Sequence, residues 1–109
     1  MIFTHAACLA HDPGQGHPEC PERLQAVLAA LADPRFAALP RHEAPEASHS
    51  QLAAAHAAAL VARVEACSPR TGHVRLDPDP AMSPASLEAA RRAPGAVCAA
   101  IDAVAAGPA

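Results

Sequence analysis

The side chains best suited to chemistry cluster in the first twenty residues. Histidines and cysteines recur there as His5, Cys8, His11, His17 and Cys20. Imidazole and thiolate are preferred ligands of Zn²⁺, and ligand pairs separated by two to four residues are usual. The pattern therefore allows a small zinc module. The alternative is that these side chains hydrogen-bond the backbone of an irregular loop.

Local structure argues against the metal. Residues 1–9 are short and apolar, and they predict a buried opening strand at residues 2–4. If that strand continues through His5 and Cys8, side chains three residues apart point to opposite faces. The loop also lacks the second cysteine pair that characterises zinc ribbons. The hydrogen-bonding interpretation is therefore favoured.

Proline and glycine mark the first loop and helix. Residues 11–21 contain three prolines and two glycines, which predict a loop. Pro21 favours a helix start, because its missing N–H is not needed at the first helical position. Asp33-Pro34 should end that helix, because the residue before proline disfavours the α region. The helix then presents apolar residues at helical spacing: Leu24, Val27, Leu28 and Leu31.

A second helix is predicted after an irregular stretch. Residues 39–47 contain two prolines around a short candidate strand, and Ser48 or Ser50 can then cap a helix. The following pattern predicts one helix that ends before Ser68-Pro69. Its apolar face would comprise Leu52, Ala55, Leu60, Val64 and Cys67.

The last third predicts a loop and a long helix. Residues 73–84 are rich in proline and predict a loop, after which Ser83-Pro84 supplies a cap and a first-turn proline. Pro94-Gly95 falls inside the helical pattern, where proline removes a backbone hydrogen bond and costs about 3 kcal/mol. We therefore expect a kink or two shorter helices there.

The composition predicts a thin core. Aromatic residues make up 2% of the chain, with no Trp or Tyr. Alanine is abundant but buries little surface, and burial contributes only about 25 cal/mol per Å². One or two strands with three helices suggest part of an α/β layer, since a parallel sheet needs both faces covered. We expect weakly packed helices whose apolar faces lack a partner.

Charge and cysteine content limit the partners and the cellular compartment that we expect for this chain. A formal net charge of −3 with 8 Lys+Arg argues against nucleic-acid and anionic-membrane partners. No apolar run reaches the ~18–20 residues of a membrane span. The N-terminus has no basic leader, and the four cysteines lack the spacing of a secreted scaffold. We expect a cytoplasmic protein with reduced thiols.

One string is more specific than the rest. GQGHPECPERL at residues 14–24 resembles the signature near the start of histone deacetylase family proteins, where a His-Pro pair precedes a Pro-x-Arg-aliphatic helix start. Three weaker matches stand in family order and extend the resemblance over most of the chain. They are CLAHD at residues 8–12, as in bacterial members, LDPD to MSP at residues 76–84, and GAV with AIDAV at residues 95–104.

The resemblance implies a fold and a chemistry. The fold would be the N-terminal portion of an arginase-like three-layer α/β/α domain, with residues 1–109 incomplete. Family enzymes use one Zn²⁺, held by two aspartates and a histidine, to release acetate from acetyl-lysine or, in some bacterial members, from acetylated polyamines. This sequence has no adjacent histidine pair, no Asp-x-His and no tyrosine. We therefore expect no catalytic residue, metal ligand or cofactor in this chain, no activity from it alone, and a tendency to self-associate.

The resemblance also assigns individual residues. Arg23 matches the family arginine at the inner end of the active-site channel; from the string alone it is equally a surface arginine paired with Glu19 or Glu22. Asp79, with Asp77 as the second candidate, matches the rim carboxylate that accepts hydrogen bonds from the substrate backbone in some members. Asp-Pro-Asp-Pro is also good turn chemistry by itself.

The remaining positions are structural. His11, His17 and Pro18 are expected to fix the loop, with His17 doing so by hydrogen bonding and without a catalytic role. Three hypotheses remain, in this order: a deacetylase fragment, a free-standing helical interaction module that uses exposed helix faces, and the His/Cys zinc module.

Overall fold

Short strands and helices alternate along the chain. A computed structural model describes residues 1–76 and 81–107. A 3-10 turn lies at Pro34–Phe36. The elements are β1 (Ile2–Thr4), α1 (Ala7–Ala10), α2 (Pro21–Leu31), β2 (Arg41–Glu43), α3 (His49–Ala55), α4 (Ala58–Cys67), β3 (Val74–Arg75), β4 (Ala81–Met82) and α5 (Ser86–Ala106).

The opening strand β1 forms where the sequence predicts it, but its three residues are partly exposed and not buried. It pairs in parallel with β2. Phe3 lies opposite His42, and their rings stack with centroids 4.9 Å apart. The N–H of Ile2 donates to the carbonyl of Pro40, and the N–H of Ala44 donates to the carbonyl of Thr4, each at 2.8 Å. Helices α1 and α2 lie in the crossover between the two strands, as a parallel connection requires.

Helix α2 begins at Pro21, as predicted, and ends at Leu31, slightly before the predicted stop. Asp33 has a different role from the one expected of it. Its carboxylate accepts the N–H of Arg35 at 2.9 Å and so caps the 3-10 turn that follows. The Asp33-Pro34 pair therefore starts a new turn one residue after the helix cap.

The predicted single helix after Ser48 is wrong, because it is two helices. The capping prediction is confirmed: the Ser48 hydroxyl accepts the N–H of Gln51 at 3.1 Å, and the Gln51 side chain accepts the N–H of Ser48 at 2.8 Å. His56 and Ala57 are extended, and α4 starts anew at Ala58. Histidine has a weak helix propensity, and the break lets the two helices line an apolar cleft beside α5.

The predicted loop at residues 73–84 is also partly wrong. β3 and β4 form a short antiparallel pair in which Val74 lies opposite Met82 and Arg75 opposite Ala81. Helix α5 starts at Ser86, later than the predicted Ser83-Pro84 start. Two-residue strands have no alternation that could be detected in a sequence.

Helix α5 continues through Pro94, so the predicted alternative of two shorter helices is wrong, and the alternative of a kink stays a prediction. The loop after β2 docks at this point: the N–H of Ala47 donates to the carbonyl of Arg91 at 2.9 Å. Gly95 is buried, and a Cβ on it would overlap the carbonyl oxygen of Pro45. Pro94-Gly95 is therefore a docking point for a second backbone segment, where glycine permits the close approach.

The core consists of small side chains. The buried apolar residues are Ala7, Ala44, Ala47, Ala81, Met82 and Ala89, and the least exposed of them, Ala44, is 1% exposed. The radius of gyration is 15.5 Å, whereas a compact chain of this length has about 13 Å. The smallest extent is 20 Å. The expectation of thin packing is confirmed.

Large apolar side chains lie on the surface instead. Val97, Ile101 and Val104 of α5 are 58%, 61% and 73% exposed. They recur at the spacing of one helix face. We call these three residues the α5 stripe. It is the uncovered helix face that the composition predicts.

Replacement of Gly95 by alanine tests the docking point. Helix propensity alone would stabilise the variant by about 1 kcal/mol. The overlap with Pro45 should outweigh this gain and give a net loss of about 1–3 kcal/mol, as overpacking does. Circular dichroism should therefore show a lower melting temperature for Gly95→Ala.

Ala106→Leu is the control, because it adds bulk at an exposed position of the same helix, on the side opposite the α5 stripe, and should change stability by less than about 0.5 kcal/mol. A melting temperature of Gly95→Ala at or above that of the original sequence would contradict the close approach.

Candidate functional site

Arg23 lies on a cleft between α1 and α2. It stands in the first turn of α2, where its N–H donates to the carbonyl of Cys20 at 3.1 Å. The cleft has a volume of about 300 Å³, and its lining includes Cys8, His11, Glu19, Cys20 and Arg23. We call it the Arg23 cleft. It brings together two of the residues predicted from the sequence, Arg23 and His11.

His11 connects this cleft to the start of α5. Its Nδ1 is hydrogen-bonded to the hydroxyl of Ser86 at 2.6 Å, and its Nε2 lies 3.8 Å from the carboxylate of Glu19. His11, Glu19 and Cys8 also line a neighbouring cleft that reaches Ser86 and Met82. The three residues therefore form a wall shared by two clefts.

Two buried serines support His11. The backbone N–H of Ser83 donates to the hydroxyl of Ser86 at 2.7 Å, and the two hydroxyl oxygens are 3.1 Å apart. Each serine is 5% exposed. We call His11, Ser83 and Ser86 the His–Ser cluster. This role was not predicted, although a serine pair three residues apart at a helix start is a sequence signal for local side-chain hydrogen bonding.

His17 and Pro18 lie in the loop before α2. The His17 ring Nδ1 accepts the backbone N–H of Glu19 at 3.1 Å, and the backbone N–H of His17 donates to the carbonyl of Gly14 at 3.4 Å. Gly16, with φ of +76°, adopts the left-handed region that favours glycine. These contacts are local to the loop.

The predicted rim carboxylates, Asp77 and Asp79, lie outside the described residues. The structure gives the strands on either side of them. Upstream, His73 Nε2 is hydrogen-bonded to the carbonyl of Asp12 at 2.9 Å. Downstream, the hydroxyl of Ser83 accepts the N–H of Asp12 at 3.2 Å. Both flanks of the segment are therefore joined to Asp12.

The His/Cys zinc module is not supported. His5 Nδ1 accepts the N–H of Ala7 at 3.0 Å, and its Nε2 lies 3.6 Å from Glu43. Cys8 is on α1 and not on a continued strand, so the argument from opposite strand faces was wrong. Within residues 1–76 and 81–107, no three His, Cys, Asp or Glu side chains come together as metal ligands.

Arg92 is a positive charge that acts on the Cys8 thiol. Its Nη1 donates to the carbonyl of Ala44 at 2.9 Å, and its Nη2 donates to Glu88 at 3.1 Å, while its Nε is buried without a hydrogen-bond partner. Burial raises the pKa of the Cys8 thiol; Arg92 offsets part of this effect, and Glu88 adds to it.

The chain is similar to a solved structure. It resembles the crystal structure of the HDA15 HD domain with a TM-score of 0.77 and 26% sequence identity. The match covers 88% of this chain and 30% of that chain. The architecture is therefore an arginase-like α/β fold, as predicted.

The family follows from a second match. The histone deacetylase domain family model matches residues 17–109, well over half of the chain. The chain belongs to the histone deacetylase family. No curated protein sequence matches it. None of the helices in the described part of the chain has both the length and the apolar character of a membrane span.

The raised pKa of Cys8 predicts low reactivity of this thiol. Because the thiolate is the nucleophile, iodoacetamide at about pH 8 should modify Cys8 more slowly in the folded chain than in guanidinium chloride. Glu88→Gln removes a negative charge near the thiol and should lower the pKa of Cys8, so that alkylation becomes faster. Mass spectrometry of the Cys8 peptide measures both rates as a function of pH.

Glu46→Gln, at an exposed position that is not among the charges acting on Cys8, is the matched control and should leave the rate unchanged. An alkylation profile of Cys8 that Glu88→Gln does not shift toward lower pH would contradict this electrostatic account.

Proposed function

We propose that these residues form the N-terminal part of a zinc-dependent deacetylase domain that acts on acetyl-lysine or on acetylated amines such as polyamines. The observation that carries the proposal is the family match over residues 17–109. The similarity to the HDA15 HD domain supports the proposal, because the two structures match over 88% of this chain. The chain spans about a third of the length of that relative.

The zinc site does not fit the residues described here. The family's metal chemistry needs at least three protein ligands on one ion. No such group occurs among residues 1–76 and 81–107. The sequence also lacks tyrosine, which commonly stabilises the oxyanion in the family. We therefore derive no reaction step from these residues and propose that the metal ligands belong to other parts of the domain.

The contribution of this chain would be to shape the channel. Arg23 carries a permanent positive charge and five N–H donors in a rigid fork, which suits it to hold carbonyl or carboxylate oxygens at the inner end of a channel. Its position on a cleft supports this role. Asp79 or Asp77 would accept hydrogen bonds from the substrate backbone at the rim, because charge-assisted hydrogen bonds are the stronger ones.

The bacterial subtype and the cytoplasmic location are part of the proposal. CLAHD at residues 8–12 supports a bacterial or acetylpolyamine-type member. All four cysteines are free thiols, which suits a reducing compartment. The substrate would be an acetylated lysine side chain or an acetylated polyamine.

A specific observation favours a second function, that of a helical interaction module. The α5 stripe exposes three large aliphatic side chains on one helix face, and apolar patches of this kind mark interfaces. In the deacetylase proposal the rest of the domain covers the stripe. In the second proposal a separate partner protein covers it.

A graft tests the deacetylase proposal. The chain replaces the aligned segment of an active histone deacetylase domain, and hydrolysis of an acetyl-lysine peptide and of acetylated polyamines is measured with and without a zinc chelator. The graft should show chelator-sensitive turnover, and the 109-residue chain alone should show none. In the graft, Arg23→Ala should lower kcat/KM by about tenfold or more, the loss of one charged hydrogen bond.

The exposed arginine Arg70 provides the control, since Arg70→Ala should leave turnover unchanged. Zinc-dependent turnover by the chain alone, or a folded graft without activity, would contradict the proposal.

The α5 stripe predicts self-association of the isolated chain. Sedimentation velocity should show oligomers that shift toward monomer in Ile101→Glu, because a charge in an apolar contact is costly. Ala106→Glu places the same charge on the opposite side of α5 and should change the distribution little. A monodisperse monomer with sharp thermal unfolding would contradict the fragment interpretation and favour the self-contained module.

A further inference from the structure

The His–Ser cluster joins parts of the chain that are far apart in sequence. The bond between His11 and Ser86 spans 75 residues, and the bond between the Asp12 N–H and Ser83 spans 71. A third bond links the Asp12 carbonyl to His73, 61 residues away. One dipeptide therefore ties the loop before α2 to the start of α5 and to the segment before β3.

Hydrogen bonds to Ser83 hold the Ser86 hydroxyl in place independently of His11. It accepts the backbone N–H of Ser83 at 2.7 Å, and the N–H of Ser86 donates back to the carbonyl of Ser83 at 3.0 Å. Both serines are 5% exposed. Because the hydroxyl has a set position, a ring hydrogen-bonded to it at 2.6 Å has one as well.

The arrangement of Glu19, His11 and Ser86 has the order of a carboxylate–imidazole–hydroxyl triad. It does not have the properties of one. A nucleophilic serine must reach its substrate, whereas Ser86 is 5% exposed and its oxygen already accepts a backbone N–H. Glu19 also lies 3.8 Å from the imidazole, beyond hydrogen-bond distance. These three residues therefore orient the His11 ring and do not form a nucleophilic centre.

The oriented ring forms part of the Arg23 cleft. His11 and Arg23 line the same cleft, and the chain between them contains Gly14 and Gly16, both at positive φ. Glycine adds conformational freedom to the unfolded and alternative states of this loop. A long-range anchor at the start of the loop therefore limits where its far end, including Glu19 and the first turn of α2, can lie.

We propose that His11 is a positioning residue: its bond to Ser86 holds the loop of residues 11–20 so that the Arg23 cleft keeps the shape required by an acylated-amine substrate. The structural half of this proposal stands on the His–Ser cluster alone. The substrate half rests on the proposed deacetylase function.

Hydrogen exchange on the 109-residue chain tests the structural half. Ser86→Ala removes the hydroxyl, and loss of a hydrogen bond worth about 1 kcal/mol corresponds to about fivefold faster exchange in peptides from residues 8–24. His11→Ala should have the same effect while leaving the two serines paired. Ser86→Thr retains the hydroxyl and should restore slow exchange, and Ser50→Ala on α3 should have no effect.

Kinetics in the active graft test the substrate half. Ser86→Ala and His11→Ala should raise KM about fivefold with a much smaller change in kcat, because a loosened cleft weakens substrate binding more than it alters the reacting groups. Ser86→Thr should restore KM.

The outcomes separate the two proposals. Equal exchange at residues 8–24 in the original chain, Ser86→Ala and His11→Ala overturns the positioning role, whatever the absolute rate. Altered exchange with unchanged KM in an active graft restricts the cluster to stability and overturns the substrate half. A folded graft without deacetylase activity contradicts the proposed function, while the exchange result still decides the structural half.

Discussion

The close approach of two backbone segments at Gly95 constrains the rest of the fold. The loop after β2 lies against α5 there, and two hydrogen bonds reinforce the contact, one from Ala47 to Arg91 and one from Arg92 to Ala44. Because β2 pairs with β1, this contact fixes the parallel strands against the long helix. The position of α1, and with it the wall of the Arg23 cleft, follows from the same contact, since α1 packs on α5.

Small side chains make this approach feasible and also limit its stability. Alanines at positions 7, 44, 47 and 89 allow backbones to lie close together. Each buries little apolar area, so the hydrophobic contribution per residue is small. The larger aliphatic side chains that could contribute more, as on the α5 stripe, face outward. Close backbone contacts therefore define the geometry of the structure, while the hydrophobic contribution to its stability is small.

The sequence predicts the features that local chemistry decides. Proline at the first helical position marked the start of α2, and Ser48, one of two serines predicted as a helix cap, marked the start of α3. The family followed from a short motif near His17-Pro18, because that motif has a strict order of residue types. Fold class followed from the family and not from the strands, which are at most three residues long.

Features that depend on distant contacts were missed. Pro94-Gly95 looks like a helix break until the loop from residues 44–47 is placed against it. The break between α3 and α4 at His56 was not predicted, because no proline or glycine marks it in the sequence. The His–Ser cluster joins residues more than 70 positions apart, and no local pattern specifies that pairing. The sequence named His11 but not its partner.

The parallel pair of β1 and β2 has a further consequence for how the molecule folds. Ile2 and Thr4 direct their backbone groups toward β2, so those of Phe3 point to the opposite edge by the alternation of a parallel ladder. In the described part of the chain, no third strand continues the sheet there. Such an edge can act as a template on which another polypeptide segment acquires its β conformation. Ordering and association would then be a single thermodynamic event, with the large negative heat-capacity change of coupled folding and binding.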